Sequence, residues 1–518
     1  MNKRTQIKTS AVKGIAWLTL SSLILKFIGL IYKVPISYLL GDEGMGYFNS
    51  AYSVYTLFYI LCSSGIPKGI SIIVSKYEAE QNENADSFYR STLIMLGIFG
   101  FILSILFIML APLFTKILGS SKSLMCMYAV APSVLFVCIN GVARGYLSGK
   151  MRFSHIAISE VIIGVFKLVI GLLLALVGIE LSLPIHAICA LSILGITIGT
   201  LISTLYLLYV CKISTKRASV VFRKNDVANL IKISVPVTLA SVGTGLMGVI
   251  DLFLIMRGLT SSGYSEGVAN ALYGNYSTLT LPMISLVSTL ISPVTTAYAP
   301  VLTMLLSKNK TSDYMKTVSQ TLSLVCFVSI PCFIIYMIYP SELLGIIFES
   351  GSAVLGFMML SVISPSVLFM SLAATINNSI EVSGRVKIPV TSIVGGTVVK
   401  VVFTYILMKF TNLGILCAPC GTILSYVTSF LISYYGFKKV IGRRINLIKP
   451  AFLPVCAGSF ALLISTLISP LFYNMDEKRI KSIIILSVFS LIYLTVMLIL
   501  SKNAREFLIK ICKINKKI

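Results

Sequence analysis

Charge is what this chain has least of. Asp, Glu, Lys and Arg make up 12% of its 518 residues, about half the ~25% of a typical soluble domain. So little charge cannot cover the surface of the roughly two or three water-soluble domains that this length would otherwise form. A soluble enzyme and a disordered chain are both excluded. Acidic groups are the scarcer half, 18 Asp+Glu against 43 Lys+Arg, and they form no cluster for phosphoryl transfer. The two histidines, His155 and His186, stand at the edges of apolar segments, where interfacial hydrogen bonds are expected rather than catalysis. Neither GxxxxGK[ST] nor HExxH occurs. The eleven cysteines are odd in number and scattered through apolar segments, which reads as small packing residues and not a disulfide framework. Cys417 and Cys420 form a CxxC with no partner motif for a metal.

What the chain has in excess is long apolar sequence. Hydrophobic residues reach 56% and the mean hydropathy is +0.93. A bilayer-spanning helix needs about 20 mostly apolar residues. About fourteen such windows occur, at 12–38, 46–75, 91–115, 123–147, 155–178, 184–211, 229–256, 272–300, 317–339, 352–380, 388–409, 413–436, 450–472 and 480–500. Residues 341–352 read as a short re-entrant turn. The runs are too long, and alternate too little, for a β-barrel. The expected fold is therefore all-α and polytopic. The net charge of +25 concentrates in alternate loops, which by the positive-inside rule places both termini in the cytoplasm, in the bacterial cytoplasmic membrane. The first span is expected to be retained. The tail 501–518 (SKNAREFLIKICKINKKI) carries apolar residues at helical spacing among lysines and is expected to lie on the anionic inner leaflet.

Two pairs of anchors point to an internal duplication. Ser148-Gly149-Lys150-Met151-Arg152 and Ser383-Gly384-Arg385-Val386-Lys387 both read Ser-Gly-basic-x-basic. Asn49 and Pro67 have the same spacing as Asn275 and Pro293. The expected organisation is a six-helix bundle at 1–212, a basic cytoplasmic linker at 213–228, a second six-helix bundle of the same orientation at 229–437, two further helices at 450–500, and the tail. Repeated bundles facing one central cavity are a transporter architecture.

Ionisable groups inside spans are costly and are functional candidates. Lys26 and Lys33 are seven residues apart on one face of span 1. Lys68 follows Pro67, whose kink turns it inward. Lys167 and Lys400 occupy spans 5 and 11, equivalent positions in the two halves. Together these five lysines describe a cationic cavity for an anionic substrate. Snorkelling to an interface is the competing explanation for Lys33 and Lys68. Asp251 lies deep in span 7. Asn377 and Glu381 share a face at the end of span 10, and Thr397 follows one span later. These four are hard oxygen ligands suited to a coupling Na⁺, or to carrying H⁺, with an interfacial Glu381–Arg385 pair as the alternative. Glu160 in span 5 and Glu349 before span 10 are further, weaker candidates. No resident cofactor and no enzymatic activity are expected, and no nucleic acid. Driving energy must come from an ion gradient, the membrane potential or the substrate gradient.

The segment KFIGLIYKVPISYLLGDEGMGYFNSAYSVYTLFYILCSSGIPKGISIIVSKY resembles the start of the stage V sporulation protein B and lipid II flippase-like family, within the multidrug/oligosaccharidyl-lipid/polysaccharide exporter superfamily. The blocks Leu40-Gly41-Asp42-Glu43-Gly44-Met45-Gly46, Gly65-Ile66-Pro67 and Arg144-Gly145-Tyr146 carry the resemblance. It implies a two-lobed fold, like that of multidrug (MATE) transporters, with helices 1–6 and 7–12 around a central cavity and alternating access. It implies movement of an undecaprenyl-pyrophosphate-linked cell-wall precursor, lipid II or a relative, with spore cortex peptidoglycan as one setting and cell-wall synthases as partners. It further implies a cationic cavity matching Lys26, Lys33 and Lys68, a sodium site near Asp251, Asn377, Glu381 and Thr397, and a groove for the polyprenyl tail on helices 13–14. Lysine stands where such relatives use arginine, and a point charge replaces a bidentate fork. A flippase for another lipid-linked unit (capsule, teichoic) and a drug/cation antiporter of the same fold are the alternatives; a non-transporting scaffold for wall enzymes is a third.

Overall fold

A computed structural model describes the chain except for residues 1–2, 81–83, 215–219, 221–222, 309, 349–352, 386, 473–477 and 501–518, and except for the side chains of 3–23 and of scattered helical positions, Lys26 among them. Part of the expected linker and all of the expected tail thus lie outside the described residues.

Every regular element among the described residues is helical. In lipid each backbone N–H and C=O must be satisfied within its own segment, and helices of these lengths do that. In chain order they are α1 Lys3–Ser63, α2 Gly65–Ala79, α3 Asn84–Leu118, α4 Leu124–Val130, α5 Pro132–Gly149, α6 Phe153–Glu180, α7 Ile185–Ser214, α8 Lys224–Ser261 and α9 Glu266–Asn275; then α10 Leu281–Ser307, α11 Thr311–Ile338, α12 Pro340–Ile347, α13 Ala353–Ile363, α14 Pro365–Val382, α15 Lys387–Phe410, α16 Cys417–Ile441, α17 Ile448–Ile468 and α18 Lys478–Leu500. Among the described residues eleven helical segments are long and apolar enough to span a bilayer, or twelve with the bent pair α13–α14. These coincide with twelve of the fourteen expected spans. The remaining two, 12–38 and 229–256, fall within α1 and α8, where part of the side chains are outside the description. The chain is a multi-pass membrane protein.

Three breaks depart from the sequence expectation. Spans 1 and 2 are not separated by a loop. They run on as α1 and turn only at Gly41, whose φ of 61° is in the left-handed region that glycine enters without penalty. The second span then breaks at Ser64, between α1 and α2, one turn ahead of Pro67. Residues 340–347 form the short helix α12, where a re-entrant turn was expected.

Contacts divide the chain into two compact units, Met1–Gly274 and Asn275–Ile518. The first takes in α8 and most of α9, beyond the expected bundle at 1–212. Small residues admit this packing, because in lipid close backbone approach replaces the hydrophobic effect as the adhesive. On α5, Gly141, Gly145 and Gly149 recur every fourth residue against α2, and a Cβ on Gly145 would meet the Pro67 carbonyl at 2.8 Å. On α2, Gly65 and Gly69 face Ser234 of α8, with no room for a side chain. Gly171 of α6 packs on Gly195 of α7, where a Cβ would lie 2.6 Å from backbone. Cys62 of α1 and Cys138 of α5 are bonded as a disulfide, their Cα atoms 4.8 Å apart. This corrects the reading of all the cysteines as packing residues: an odd total hides a single pair. Eight other described cysteines are free.

At one end of the first unit, Asp86 of α3 is buried and accepts hydrogen bonds from Tyr146 Oη (2.6 Å) and Lys150 Nζ (3.0 Å). Lys150 also pairs with Glu78 at 3.2 Å. Tyr77 Oη donates to Asp226 of α8 at 2.6 Å. This network holds α2, α3, α5 and α8 together. Asp86→Ala removes a charged acceptor from two donors, at about 1.5–3 kcal/mol for a hydrogen bond to a charged group. The expected result is a clear drop in the thermal midpoint of the detergent-purified protein; an unchanged midpoint would show that the network contributes nothing to stability.

In the second unit, one core joins α10, α11, α14 and α16 around Tyr314, Ile376 and Phe437. A second joins α17 and α18 to α11: Tyr493 Oη donates to the Phe327 carbonyl at 2.8 Å, and Tyr339 and Ser465 hydroxyls meet at 2.9 Å. A local pattern recurs between the units. The α5 and α14 helices each have 18 residues, each starts with proline, and each follows a shorter helix across a break. Each ends at one of the two Ser-Gly-basic anchors.

Candidate functional site

Lys33 and Lys167 come together in the first unit. Lys33 is in the α1 segment ahead of Gly41, and Lys167 is near the middle of α6. Both side chains are half-buried, and Tyr32, the residue before Lys33, stands against Lys167. Lys167 Nζ lies 5.0 Å from the ring centroid of Tyr32 and 5.0 Å from that of Tyr52. Two aromatic faces at this range hold an ammonium group electrostatically in place of water. Tyr32 is fixed in turn by a 3.0 Å hydrogen bond with Ser192 of α7. Tyr52 remains 38% exposed, so the caged cation borders accessible space. An ammonium group held in this way among apolar helices is suited to an anion.

From this pair a run of rings continues along α1. Phe48, Tyr52, Tyr55 and Tyr59 follow at helical spacing, successive centroids 5.9–6.4 Å apart. Tyr59 lines a small pocket with Ser63, Asn140, Arg144 and Thr200. Arg144 of α5 forms an ion pair with Glu160 of α6.

The sequence marks Arg144 only as part of the Arg144-Gly145-Tyr146 block, and it does not mark the tyrosine run. A signal for the pair exists: Arg144 and Glu160 stand at similar depths on either side of the 150–152 turn, as partners across a helical hairpin must. Its weakness is that the arginine reads equally well as part of a motif.

The other candidates are placed as follows. Lys68 is exposed on α2 and Lys400 is half-buried on α15. The side chain of Lys26 is outside the described residues. Asp251 is half-buried on α8. In the second unit Asn377 is buried, its amide donating to Ser392 Oγ at 3.0 Å and its carbonyl oxygen accepting from Ser433 Oγ at 2.8 Å. The Thr397 hydroxyl donates to the Ile393 carbonyl at 2.7 Å; it is five residues beyond Ser392 and so about 140° round α15. Glu381 is exposed at the end of α14. Within this unit the Asn377 amide is engaged with serines of α15 and α16. No group of three or more His, Cys, Asp or Glu side chains able to hold a metal occurs among the described residues.

Residues 11–306 match the family model described as polysaccharide biosynthesis protein, and residues 277–406 match the MatE model. Among curated proteins, stage V sporulation protein B of Bacillus subtilis (strain 168) is 22% identical, over 85% of this chain and 86% of its own. The lipid II flippase MurJ of the same organism is 23% identical, over 84% of both. Among solved structures, the lipid II flippase MurJ in an inward closed conformation superposes with a TM-score of 0.68 at 16% identity, over 93% of this chain and 98% of that one. An inward-facing multidrug resistance MATE family transporter of the MOP superfamily also reaches 0.68, at 14% identity over 83% and 98%.

Proposed function

We propose, from the premise that this chain belongs to the polysaccharide biosynthesis protein family, that it is a flippase for an undecaprenyl-pyrophosphate-linked cell-wall precursor. Lipid II or a close relative is the substrate, moved across the bacterial cytoplasmic membrane by alternating access, with both termini in the cytoplasm and spore cortex peptidoglycan as the setting. The observation that carries the reading is Lys167 held over Tyr32 and Tyr52, with Lys33 next to Tyr32 in the chain. A diphosphate is a multivalent anion suited to such cations, and each ring offers a stacking face to a sugar. Relatives named for lipid II flipping and for sporulation support the substrate class.

The MatE match over part of the chain favours a second reading, a drug/cation antiporter of the same fold. A cationic pair repels a cationic drug, which is why the flippase reading is preferred. In it, Asp251, Asn377, Glu381 and Thr397 serve a coupling Na⁺ or H⁺, and α17–α18 guide the polyprenyl tail.

The test is conditional depletion followed by identification of the lipid-linked intermediate that accumulates on the cytoplasmic leaflet. A peptidoglycan precursor is expected. A teichoic or capsular intermediate would transfer the activity to that lipid, and no accumulation with increased drug sensitivity would establish the antiporter. Repeating the assay with Asp251→Ala reads the coupling: Na⁺ and pH dependences identical to wild type would remove Asp251 from any cation site.

A further inference from the structure

The block from Leu40 to Gly46 forms a bare seat in the first unit. A Cβ on Gly46 would overlap the Asn270 carbonyl, and one on Gly274 would overlap the Asp42 carbonyl. The α1 segment beyond Gly41 and α9 therefore cross backbone to backbone, an approach that glycine permits. Ser120 and Asn270 are buried beside this crossing. Ser120 Oγ donates to Asn270 Oδ1 at 2.9 Å, and Asn270 Nδ2 donates to the Glu266 carbonyl at 2.9 Å.

Two charged side chains fasten the same place from α8 and α9. Arg257, near the end of α8, donates from Nε to the Ile117 carbonyl and from Nη2 to the Lys116 carbonyl, both at 2.8 Å. Its fork caps the last carbonyls of α3, at the negative end of that helix dipole. Glu266 opens α9, and its Oε1 accepts from the backbone N–H of Ser121 at 2.6 Å and of Lys122 at 3.4 Å. These are donors at the start of a one-turn helix, 121–123, where no intrahelical acceptor is available. Lys122 reaches back to Glu43 of α1 at 3.7 Å, and Glu43 accepts from Tyr47 Oη at 2.5 Å. The partners of Arg257 and Glu266 are backbone groups at an exposed rim. Once parted they are met by water, so release costs the net worth of the hydrogen bonds and strands no buried charge. Such a clasp can be undone and remade. The far end of α8 is joined to α2 through Gly65, Gly69 and the Tyr77–Asp226 bond. The α8–α9 arm is thus fastened at each end.

We propose that Arg257 and Glu266 are gating residues of the outer side, the side on which the orientation proposed above places the 116–122 turn. Their clasp holds that side closed. Both charges must leave the backbone of this turn before a substrate can pass to the outer leaflet. Gly46 and Gly274 let the clasp close fully; Arg257 and Glu266 set how often it opens. The gate rests on the alternating-access reading and on no particular substrate.

The test uses full-length protein in lipid nanodiscs, with Ser120→Cys as a reporter for a membrane-impermeant maleimide. Ser120 is fully buried, and labelling is counted above that of the parent protein with its native cysteines. Where opening is fast, the labelling rate follows the open population. Arg257→Gln/Glu266→Gln is expected to raise that rate by about tenfold or more, as for the loss of charge-assisted hydrogen bonds. Each single substitution is expected to give a smaller rise of the same sign, and decides if the double variant does not fold. A second arm locks the clasp. A Cβ on Gly267 would lie 3.4 Å from Glu43 Cδ, so oxidation of the Glu43→Cys/Gly267→Cys protein with copper phenanthroline is expected to crosslink α1 to α9. Transport in the depletion assay should then stop and return on reduction, with wild type taken through the same cycle as control. The proposal is overturned if the folded double variant labels no faster than its parent, or if fully crosslinked protein transports at its uncrosslinked rate. A depletion that accumulates no lipid-linked intermediate would remove the flippase reading alone, and the labelling arm, which needs no substrate, would still decide the gate.

Discussion

Lys167→Glu is expected to abolish transport while leaving the protein folded. The ammonium group sits between the faces of Tyr32 and Tyr52, 5.0 Å from each centroid. A carboxylate in its place meets the negative faces of the same rings and loses that attraction. The substitution also puts a negative charge where a positive one would meet an incoming diphosphate. A unit charge pair at 4 Å is worth about 4 kcal/mol at an effective dielectric of 20, and each ~1.4 kcal/mol is a factor of ten. The loss of transport is therefore expected to exceed about 100-fold. The position is only half-buried, so size-exclusion behaviour should match wild type. Lys167→Arg, which keeps the cation over the rings, should retain most activity. Complementation of a flippase-depleted strain by Lys167→Glu at wild-type level would rule out the cationic site.

Much of the fold is legible in the sequence because its driving term is one-dimensional. A run of about 20 apolar residues is a span wherever it occurs, and twelve of the expected spans recur as spanning helices among the described residues. The breaks are legible where chemistry marks them, as at the Ser-Gly-basic anchors. They are not where a lone glycine does the work: Gly41 lies where the apolar pattern implies a loop, and it turns the chain without one. The candidate site divides in the same way. A lysine in an apolar run stands out by itself, which is how Lys33 and Lys167 are found. Their cage is not visible, because Tyr32 and Tyr52 read as ordinary apolar-face aromatics until α1 and α6 are packed. Arg144 and Glu160 need the hairpin to be closed before they form a pair. The disulfide between Cys62 and Cys138 is likewise a property of helix packing and not of spacing.

Packing at one further place is tight enough to make a second large effect. Gly65 and Gly69 stand on the face of α2 that meets α8, and a Cβ on Gly65 would overlap both the Ser234 carbonyl and the Thr238 hydroxyl. The carbonyl is backbone, so no rotamer change relieves the clash. The same two helices are joined further along by Tyr77 and Asp226 at 2.6 Å, while Arg223 donates to Asn84 of α3 at 2.6 Å. In an alternating-access cycle such a bare glycine contact is a closure: it can form fully or be opened, with little in between. Gly65→Val is therefore expected to exclude the closed arrangement and stop transport. Overpacking of this kind costs about 1–3 kcal/mol, or a factor of roughly 5 to 150 in the closed population. Cysteines introduced by Tyr77→Cys and Asp226→Cys give the readout, since their crosslink forms only when α2 and α8 are packed. Crosslinking should be efficient with glycine at 65, intermediate with Gly65→Ala and lost with Gly65→Val. Full crosslinking and wild-type transport by Gly65→Val would show that α2 and α8 do not need this contact.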